Sequence, residues 1–467
     1  MTGKTVDFEY RPRWSGEVFV WRTAGLLVLS CLCGVGLPAA NRSTAAEGDE
    51  SGWQSSSPRP EISPRFHREA RGGHDGSYRL IIEQSDVAGQ HGWWRRSFDI
   101  EGGKWYRVTA WRQVARLEHP RRHALMRVLW QDAHGRPVTY ERPVVDWFRR
   151  PAGRSMAAPE YPPDRTTDPT GWTELGGVYL APPAARRMVV ELHARWAPGS
   201  RVVWSDIHVS PSSPPPPRRV RLAAVHYRPK SGTPEGNRRE FAPLIAKAAA
   251  QHADLVVLPE TLTYFGTHRS YRECAEPIPG PSTKYFATLA RRHDLYIVAG
   301  LLERDGPRVY NVAVLIGPDG RLVGKYCKVC LPRSEASNGI CPGDAYPVFD
   351  TRFGKLGMMV CYDGFFPEVA RRLSNHGAEV IAFPVWGCNP LLVRARACEN
   401  HVYIVSSTYT EAGTKWIVSG IFDPTGKIIA QASSWGDVVV TEVDLSKNVY
   451  WSSLGDFRNE SRRHRPD

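Results

Sequence analysis

The sequence predicts a two-domain protein in which an all-β sandwich precedes an α/β domain. Residues 66–209 contain many short apolar or alternating runs separated by Gly, Asp and Pro, which is typical of short strands joined by turns. From residue 219 onward, apolar strand-like runs alternate with segments of helical periodicity, as in layered α/β domains. Between them, residues 210–218 carry consecutive prolines, which favour an extended and semi-rigid linker.

The predicted sandwich, residues 66–209, contains no long amphipathic helix. Its strands are expected in the segments SYRLIIEQ, WWRRSFDI, KWYRVTAWRQV, ALMRVLWQD, RRMVVELHARW and RVVWSDIHVS. Such a series favours an antiparallel sandwich of jelly-roll type. Its tryptophans either fill the core or stack on sugar rings at the surface; they include Trp93, Trp94, Trp105, Trp111 and Trp130.

The α/β domain is predicted over residues 219–460. It starts with the strand VRLAAVHY, the helical segment RREFAPLIAKAAAQHA and the buried strand DLVVLPE. The helix STKYFATLARRHD follows, and then the strands LYIVAGLLER, YNVAVLIGPDG, AEVIAFPV and HVYIVSSTY. The segments GPDGRLVGKY and DPTGKIIAQAS carry Asp, Pro and Gly where hairpin turns need them. The sheets are therefore expected to be mixed.

The two ends of the chain are predicted to lie outside these domains. Residues 1–40 read as a signal peptide, because the apolar run at 24–40 follows a basic leader and is shorter than the ~20 residues that a spanning helix needs. An uncleaved membrane anchor is the alternative. Residues 41–65 are expected to form a disordered tether and residues 461–467 a basic tail. We therefore expect an exported protein, which is periplasmic, on the cell surface or secreted.

Seven cysteines follow the leader, and all lie beyond residue 270. Export would permit disulfides, and the odd number leaves at least one thiol unpaired within a monomer. For Cys327 and Cys330, in CKVC, a local disulfide is favoured over a metal site, because no second Cys/His pair has standard zinc spacing. Their connectivity cannot be read from the sequence.

Charge and motifs exclude several classes of function. The formal net charge is +13, but the arginines are scattered through every region and no nucleic-acid-binding motif is present, so no nucleic-acid partner is predicted. The sequence has no HExxH, P-loop or dinucleotide fingerprint. We therefore predict no metal and no cofactor.

Three reactive side chains lie at the ends of buried strands in the α/β domain. Glu260 ends DLVVLPE, Lys328 lies in GKYCKVCLP, and Cys361 lies in GMMVCYD. Each has a structural explanation on its own: a helix cap for Glu260, a solvated chain for Lys328, a small buried apolar residue for Cys361. Charged groups at buried strand ends lose solvent, which shifts their pKa values and makes them candidates for a functional site.

Taken in order, these segments resemble the three motifs of the nitrilase, or carbon–nitrogen hydrolase, superfamily. LVVLPET is similar to the glutamate motif, GKYCKVCLP to the lysine motif and GMMVCYDGFFPE to the cysteine motif. The resemblance covers about residues 219–460 and implies a four-layer αββα sandwich and a homodimer or larger homo-oligomer. The N-terminal domain resembles carbohydrate-binding-module and galactose-binding-like sandwiches, which implies a glycan as a second partner.

The resemblance also implies the role of each residue. Cys361 matches the nucleophile, Glu260 the general base, and Lys328 the lysine that stabilises the oxyanion together with the backbone N–H of Tyr362. Glu335, in LPRSEASNG, matches the second glutamate, which would position the substrate amide or orient Lys328. Residues near the motifs that are expected to shape the acyl pocket are Tyr264, Tyr362, Asp363, Trp386 and Asn389.

The predicted reaction is hydrolysis of a non-peptide C–N bond, in a small-molecule amide or N-carbamoyl compound, through a thioester on Cys361. The products are an acid and ammonia or an amine. Three alternatives remain open: a catalytically inactive glycan-binding surface protein, an acyltransferase, and a nitrilase that uses the same Glu-Lys-Cys residues. The membrane-embedded acyltransferases of the superfamily carry several spanning helices, whereas no segment beyond the leader looks like one.

Overall fold

The computed structural model describes residues 52–139, 157, 159–451 and 455–464. The predicted leader, residues 1–40, lies outside the described residues, as do residues 41–51 of the predicted tether. None of the helices in the described ranges is long and apolar enough to cross a membrane.

The N-terminal part of the described chain folds into two antiparallel sheets. Its elements are β1 (Gln54–Ser56), β2 (Arg65–Glu69), β3 (Arg79–Glu83), β4 (His91–Asp99), β5 (Trp105–Ala115), α1 (Pro120–His123), β6 (Met126–Gln131), β7 (Asp164–Thr167), β8 (Thr173–Leu180), β9 (Arg187–Arg195) and β10 (Arg201–Ser212). The strand orders are β1-β4-β9-β6 and β2-β3-β10-β5-β8-β7. Residues of both sheets, such as Leu80, Val128 and Trp204, share one apolar core.

The tryptophans of these sheets divide between core and surface. Trp94 and Trp130 belong to the core. Trp93, Trp105 and Trp111 are half-buried. Of these, Trp111 stacks on His74 with ring centroids 3.6 Å apart.

The strands of the N-terminal sheets begin earlier and end later in the chain than the predicted range 66–209. In the expected tether, β1 pairs with β4, and the Trp53 side chain, 3% exposed, donates a hydrogen bond from its indole to the Tyr78 hydroxyl at 3.1 Å. One buried tryptophan thus anchors an otherwise polar segment. In the expected linker, β10 continues to Ser212. The strand tolerates Pro211 because β3 pairs only with its first residues, up to Ser205, so that one edge is free there.

The second part of the chain contains two mixed six-stranded sheets. Its strands are β11 (Arg219–His226), β12 (Leu255–Val257), β13 (Tyr296–Asp305), β14 (Arg308–Ile316), β15 (Leu322–Cys327), β16 (Val348–Asp350), β17 (Lys355–Met358), β18 (Val380–Val385), β19 (Tyr403–Thr408), β20 (Gly420–Phe422), β21 (Ile428–Gln431), β22 (Asp437–Asp444), β23 (Tyr450–Trp451) and β24 (Gly455–Asp456). The sheet orders are β15-β14-β13-β12-β11-β22 and β16-β17-β18-β19-β20-β21, and β23 pairs with β24. The parallel strands are β11 to β13 in the first sheet and β17 to β19 in the second.

Helices complete an α/β sandwich around these sheets. They are α2 (Pro234–Glu240), α3 (Ala242–Ala250), α4 (Tyr271–Cys274), α5 (Pro281–His293), α6 (Arg333–Ser337), α7 (Pro367–Asn375), α8 (Pro390–Asn400) and α9 (Phe457–His464). Along β11 the side chains alternate: Leu222 and Ala224 join the core shared by the two sheets, whereas Ala223 and Val225 join the core beneath α3 and α5. Because both faces of the strand are buried, it reads as a continuous apolar run.

Turn chemistry correctly predicted both hairpins. The GPDG turn joins β14 to β15, and DPTG joins β20 to β21. Gly320 and Gly426 have φ of 76° and 78°, in the left-handed region that glycine adopts without strain.

The structure differs from the predictions at one helical segment, at the C-terminal tail and at the cysteines. The segment RREFAPLIAKAAAQHA forms two helices, α2 and α3, that meet at Phe241, because Pro243 is accommodated only in the first turn of a helix. The expected basic tail overlaps α9, which is held in place when the Arg463 guanidinium stacks 3.5 Å from the centre of the Tyr161 ring. All seven cysteines of the α/β domain are free thiols, so Cys327 and Cys330 do not form the disulfide that was favoured.

Candidate active site

Three segments of the α/β domain bring Glu260, Lys328 and Cys361 together. Glu260 follows β12, Lys328 follows β15, and Cys361 begins the 3₁₀ turn Cys361–Phe365 after β17. Glu260 is 3% exposed and Lys328 is 0% exposed, whereas Cys361 is half-buried. The two charged groups are therefore shielded from water and the thiol is reachable.

The chain fixes the Glu260 carboxylate by close backbone packing and two hydrogen bonds. A Cβ on Gly300 of β13 would lie 2.5 Å from the Glu260 Cα, so only glycine permits this approach. The Tyr409 hydroxyl donates to the Glu260 carbonyl oxygen at 2.7 Å, and the backbone N–H of Trp386 donates to Glu260 Oε2 at 2.9 Å. One carboxylate oxygen thus has a fixed direction.

The Lys328 ammonium bridges two carboxylates. Its Nζ donates to Oε1 of Glu260 at 2.9 Å and to Oε1 of Glu335, in α6, at 2.7 Å. Burial alone would lower the pKa of Lys328, but the carboxylates of Glu260 and Glu335 and the nearby Cys361 hold this pKa above its ordinary value. Burial raises the pKa of Glu335, and the Lys328 charge opposes that rise. Lys328 therefore remains a cation.

Asn311, in β14, completes this charged group and was missed by the sequence reasoning. Its Nδ2 donates to Glu260 Oε1 at 2.8 Å and to Glu335 Oε1 at 3.1 Å, and its carbonyl accepts the Lys328 backbone N–H at 2.9 Å. One residue thus orients both carboxylates and the lysine backbone. The signal in the sequence was a single amide within the apolar strand VYNVAVLI.

Cys361 occupies a strained position at the start of its turn. Its φ is 44°, a left-handed conformation that costs a non-glycine residue about 1–3 kcal/mol and is concentrated at functional sites. Its Sγ donates to the Gly387 carbonyl oxygen at 3.7 Å. Burial and the neighbouring Glu260 carboxylate raise the pKa of the Cys361 thiol, although Lys328 opposes the rise. The resting thiol is therefore protonated and needs a base.

Asp363 supports the turn and does not line an acyl pocket, which corrects the prediction for this residue. It is 0% exposed, and its carboxylate accepts hydrogen bonds from the Tyr326 hydroxyl at 2.8 Å and from the backbone N–H groups of Cys330 and Val360 at 2.8 and 2.9 Å. Burial raises the pKa of Asp363 to about 6, although these hydrogen bonds oppose the rise. The carboxylate ties the cysteine turn to the segment that carries Lys328.

The other predicted pocket residues divide between capping and the surroundings of the site. Asn389 is the N-cap of α8, and its Oδ1 accepts the Leu391 backbone N–H at 2.9 Å, so the side chain is engaged in the cap. Tyr264 packs on Tyr271 at 4.6 Å. The backbone N–H of Trp386 donates to Glu260, and 52% of the residue is exposed. The ring of Tyr362, next to the nucleophile, packs on two phenylalanines.

The arrangement suits covalent acyl chemistry. A protonated thiol lies near a carboxylate of fixed orientation and near a permanent cation, which are the parts needed to generate a thiolate and stabilise an oxyanion. Nowhere in the described ranges do three or more His, Cys, Asp or Glu side chains form a group that could hold a metal ion.

Comparison with known proteins identifies relatives of the second domain. The profile of the family Carbon-nitrogen hydrolase matches residues 221–451. A nitrilase of Pyrococcus abyssi is 41% identical over 257 residues, which is 52% of this chain and 97% of that protein. Omega-amidase NIT2-B of Xenopus laevis is 32% identical over 251 residues, or 49% of this chain and 89% of that protein. The crystal structure of Nit3 of Saccharomyces cerevisiae is 27% identical, covers 48% of this chain and 90% of its own, and has a TM-score of 0.44.

Proposed function

Because this chain belongs to the carbon–nitrogen hydrolase family, we propose that it hydrolyses a small-molecule amide to an acid and ammonia through a thioester on Cys361. Relatives of the chain are nitrilases and amidases, and the chain is accordingly a hydrolase of carbon–nitrogen bonds that acts on amides through a cysteine intermediate.

The observation that carries the proposal is the hydrogen-bonded group of Glu260, Lys328 and Glu335 beside the Cys361 thiol. Lys328 Nζ lies 2.9 Å from one carboxylate and 2.7 Å from the other, with no exposed surface. A purely structural ion pair at such depth would be weak evidence for stability, since desolvation offsets most of the attraction. Because this ion pair lies next to the strained Cys361, a catalytic role explains it better than a structural one.

In the acylation step Glu260 accepts the thiol proton as Cys361 Sγ attacks the amide carbon. The C=O π electrons move to oxygen, and the Lys328 ammonium and the Tyr362 backbone N–H stabilise the resulting oxyanion. The oxyanion then collapses, the C–N bond breaks, and Glu260 gives its proton to the departing nitrogen. Ammonia leaves and a thioester remains on Cys361.

In the deacylation step the same carboxylate activates water. Glu260 accepts one proton of the water as its oxygen attacks the thioester carbon, and the C–S bond breaks to release the acid. The proton returns to Cys361 Sγ. Glu335 and Asn311 hold Lys328 and Glu260 in place through both steps, because their hydrogen bonds converge on the same carboxylate oxygens.

The test is a panel of carboxamides, N-carbamoyl amino acids and nitriles, assayed for release of ammonia. Wild type is compared with Cys361→Ala and with Cys388→Ala, which removes a fully buried thiol of the same domain. We expect wild type and Cys388→Ala to turn over amides or, failing that, N-carbamoyl compounds. Cys361→Ala should turn over neither. Turnover of nitriles alone would reassign the enzyme as a nitrilase, and no turnover with an unreactive Cys361 would support an inactive scaffold.

Added hydroxylamine separates hydrolysis from acyl transfer. A hydrolase forms acid as its main product in water and hydroxamate only by trapping of the thioester. An enzyme that forms negligible acid without an amine acceptor would be an acyltransferase instead.

For the N-terminal sheets we propose a carbohydrate-binding role. The support is an aromatic surface on β4 and β9: Trp196 is 41% exposed, the Arg195 guanidinium lies 4.1 Å from its ring centre, and its ring centroid lies 6.0 Å from that of His91. Exposed aromatic rings are the surfaces on which sugars stack. Titration calorimetry with soluble oligosaccharides should show binding that Trp196→Ala weakens; equal binding by the two proteins would exclude this surface.

We further propose that the protein is exported and forms a homodimer or larger assembly. The basic leader and apolar run at residues 24–40 support export, and membership of the family supports assembly. Cell fractionation and N-terminal sequencing of the mature protein test the first proposal. Light scattering after size-exclusion chromatography tests the second, which the mass of a single chain, 52.3 kDa with the leader and less without it, would contradict.

A further inference from the structure

The surface around the Cys361 thiol carries an unusual concentration of aromatic side chains. We call five of them the aromatic rim: Tyr362, Phe365, Phe366, Trp386 and Trp416. Phe366, Trp386 and Trp416 are 36%, 52% and 49% exposed, respectively. Contiguous aromatic surface in water is unfavourable, and where it occurs it marks a binding site.

The rim is connected to the nucleophile by direct contacts. The Cys361 thiol donates to the Gly387 carbonyl oxygen at 3.7 Å. Trp416 lies against the same glycine, since a Cβ built on Gly387 would be 3.8 Å from the indole. The Phe365 ring centroid is 6.2 Å from that of Trp416 and 5.3 Å from that of Tyr362.

The backbone of Trp386 is held rigidly although its side chain is exposed. Its N–H donates to Glu260 Oε2 at 2.9 Å, and its carbonyl oxygen accepts hydrogen bonds from the hydroxyls of Thr408 and Thr410. Its indole packs against Phe265 at 5.7 Å. A rigid aromatic surface binds an apolar group with little loss of conformational entropy.

The chemistry of the rim defines the ligand. None of the five side chains carries a charge, and the charged groups next to the thiol are already paired, with Lys328 bonded to both Glu260 and Glu335. An ionised substituent that packs on the five rings would lose water, and the rings themselves offer it no ion pair. An apolar substituent would gain contact with several aromatic rings.

We infer that the enzyme prefers amides whose acyl group is apolar, and aromatic acyl groups above all. This inference rests on the proposed function, since it requires the amide carbonyl to lie at Cys361 while the acyl substituent lies on the rim. Trp416 is then a specificity-determining residue, because it lies beside Gly387, whose carbonyl oxygen accepts the thiol hydrogen bond. The Trp416 side chain takes no part in proton transfer.

The experiment measures kcat/KM for acetamide, phenylacetamide and succinamate, an amide that carries a carboxylate, with wild type, Trp416→Ala and Trp435→Ala. Trp435 is a matched control, since it is 40% exposed and stacks on His226 outside the rim. Burial of a phenyl group should favour phenylacetamide over acetamide by about 10- to 100-fold in wild type. Trp416→Ala should remove about tenfold of that preference and change acetamide by less than about twofold, and Trp435→Ala should change neither.

Three results would overturn the inference. One is a wild-type preference for acetamide or succinamate. Another is an equal loss for both neutral amides in Trp416→Ala. The third is dissociation of the wild-type assembly by Trp416→Ala and Trp386→Ala in light scattering, which would show that a second copy of the chain covers the rim. Turnover of acetamide without aromatic preference overturns this inference alone, whereas no turnover of any amide overturns the proposed function as well.

Discussion

Replacing Lys328 by methionine removes the cation that bridges two buried carboxylates and keeps a side chain of similar length. At an effective dielectric constant of about 20, an ammonium and a carboxylate about 2.8 Å apart attract each other by about 6 kcal/mol. Desolvation offsets most of this, and breaking one buried pair costs about 3–5 kcal/mol of stability in practice. In Lys328→Met, Glu260 and Glu335 would share Asn311 Nδ2 as a remaining donor.

The same substitution removes a donor to the oxyanion. Loss of one such donor lowers kcat by about 10²–10³, or about 3–4 kcal/mol of transition-state stabilisation. The assay is steady-state hydrolysis of a reactive amide, together with the midpoint of thermal unfolding. We expect both the rate and the midpoint to fall.

Lys325→Met is the matched control. Lys325 lies on β15, three residues before Lys328, and donates to Glu303 at 2.5 and 2.6 Å, outside the site. Its loss should lower the unfolding midpoint with little change in kcat, because it leaves the buried Glu303, which has no assigned role in the reaction, without this ion pair. If Lys328→Met retains at least half of the wild-type kcat, or if the control loses as much, the assigned role of Lys328 is wrong.

Three further predictions follow from the supporting residues. Asn311→Leu should lower kcat about tenfold or more in steady-state assays, because two hydrogen bonds to charged oxygens are lost. The Cys361 thiol should still react in a thiol titration. An unchanged rate would exclude the positioning role of Asn311. Asp363→Asn should lower the unfolding midpoint, since an amide cannot accept the three hydrogen bonds that the carboxylate receives; an unchanged midpoint would contradict this reading. Burial alone would raise the pKa of Glu379, but hydrogen bonds and charge from Arg218 bring it below its ordinary value of 4.5. The stability from this pair is therefore present above that pH and lost as the pH falls, so the difference in midpoint between wild type and Arg218→Ala should shrink on acidification, and a constant difference would refute the sign.

Much of the second domain was predictable because buried strands and turns have local signatures. Glu260, Lys328 and Cys361 each follow a strand, and β12, β15 and β17 of the two packed sheets bring them together although they are far apart along the chain. The two hairpins were predictable because their glycines and aspartates are local signatures of tight turns.

The remaining features depend on tertiary contacts that no local pattern contains. Asn311 looks like an ordinary strand residue until three partners converge on it. Asp363 looks like a site residue because it is two positions from Cys361, yet its carboxylate is fully used by Tyr326 and two backbone groups. Trp53 orders a polar segment only because a core is present to receive it.

The most direct test of the account is the covalent state of Cys361 during turnover. Enzyme in excess over a reactive amide is acid-quenched at short times, digested, and examined by mass spectrometry. The account predicts a transient acyl adduct on the peptide that contains Cys361, with the mass of the acyl group, and its absence from the Cys361→Ala protein. Acid formed while Cys361 stays unmodified at every quench time, or an adduct on a different residue, would contradict the account.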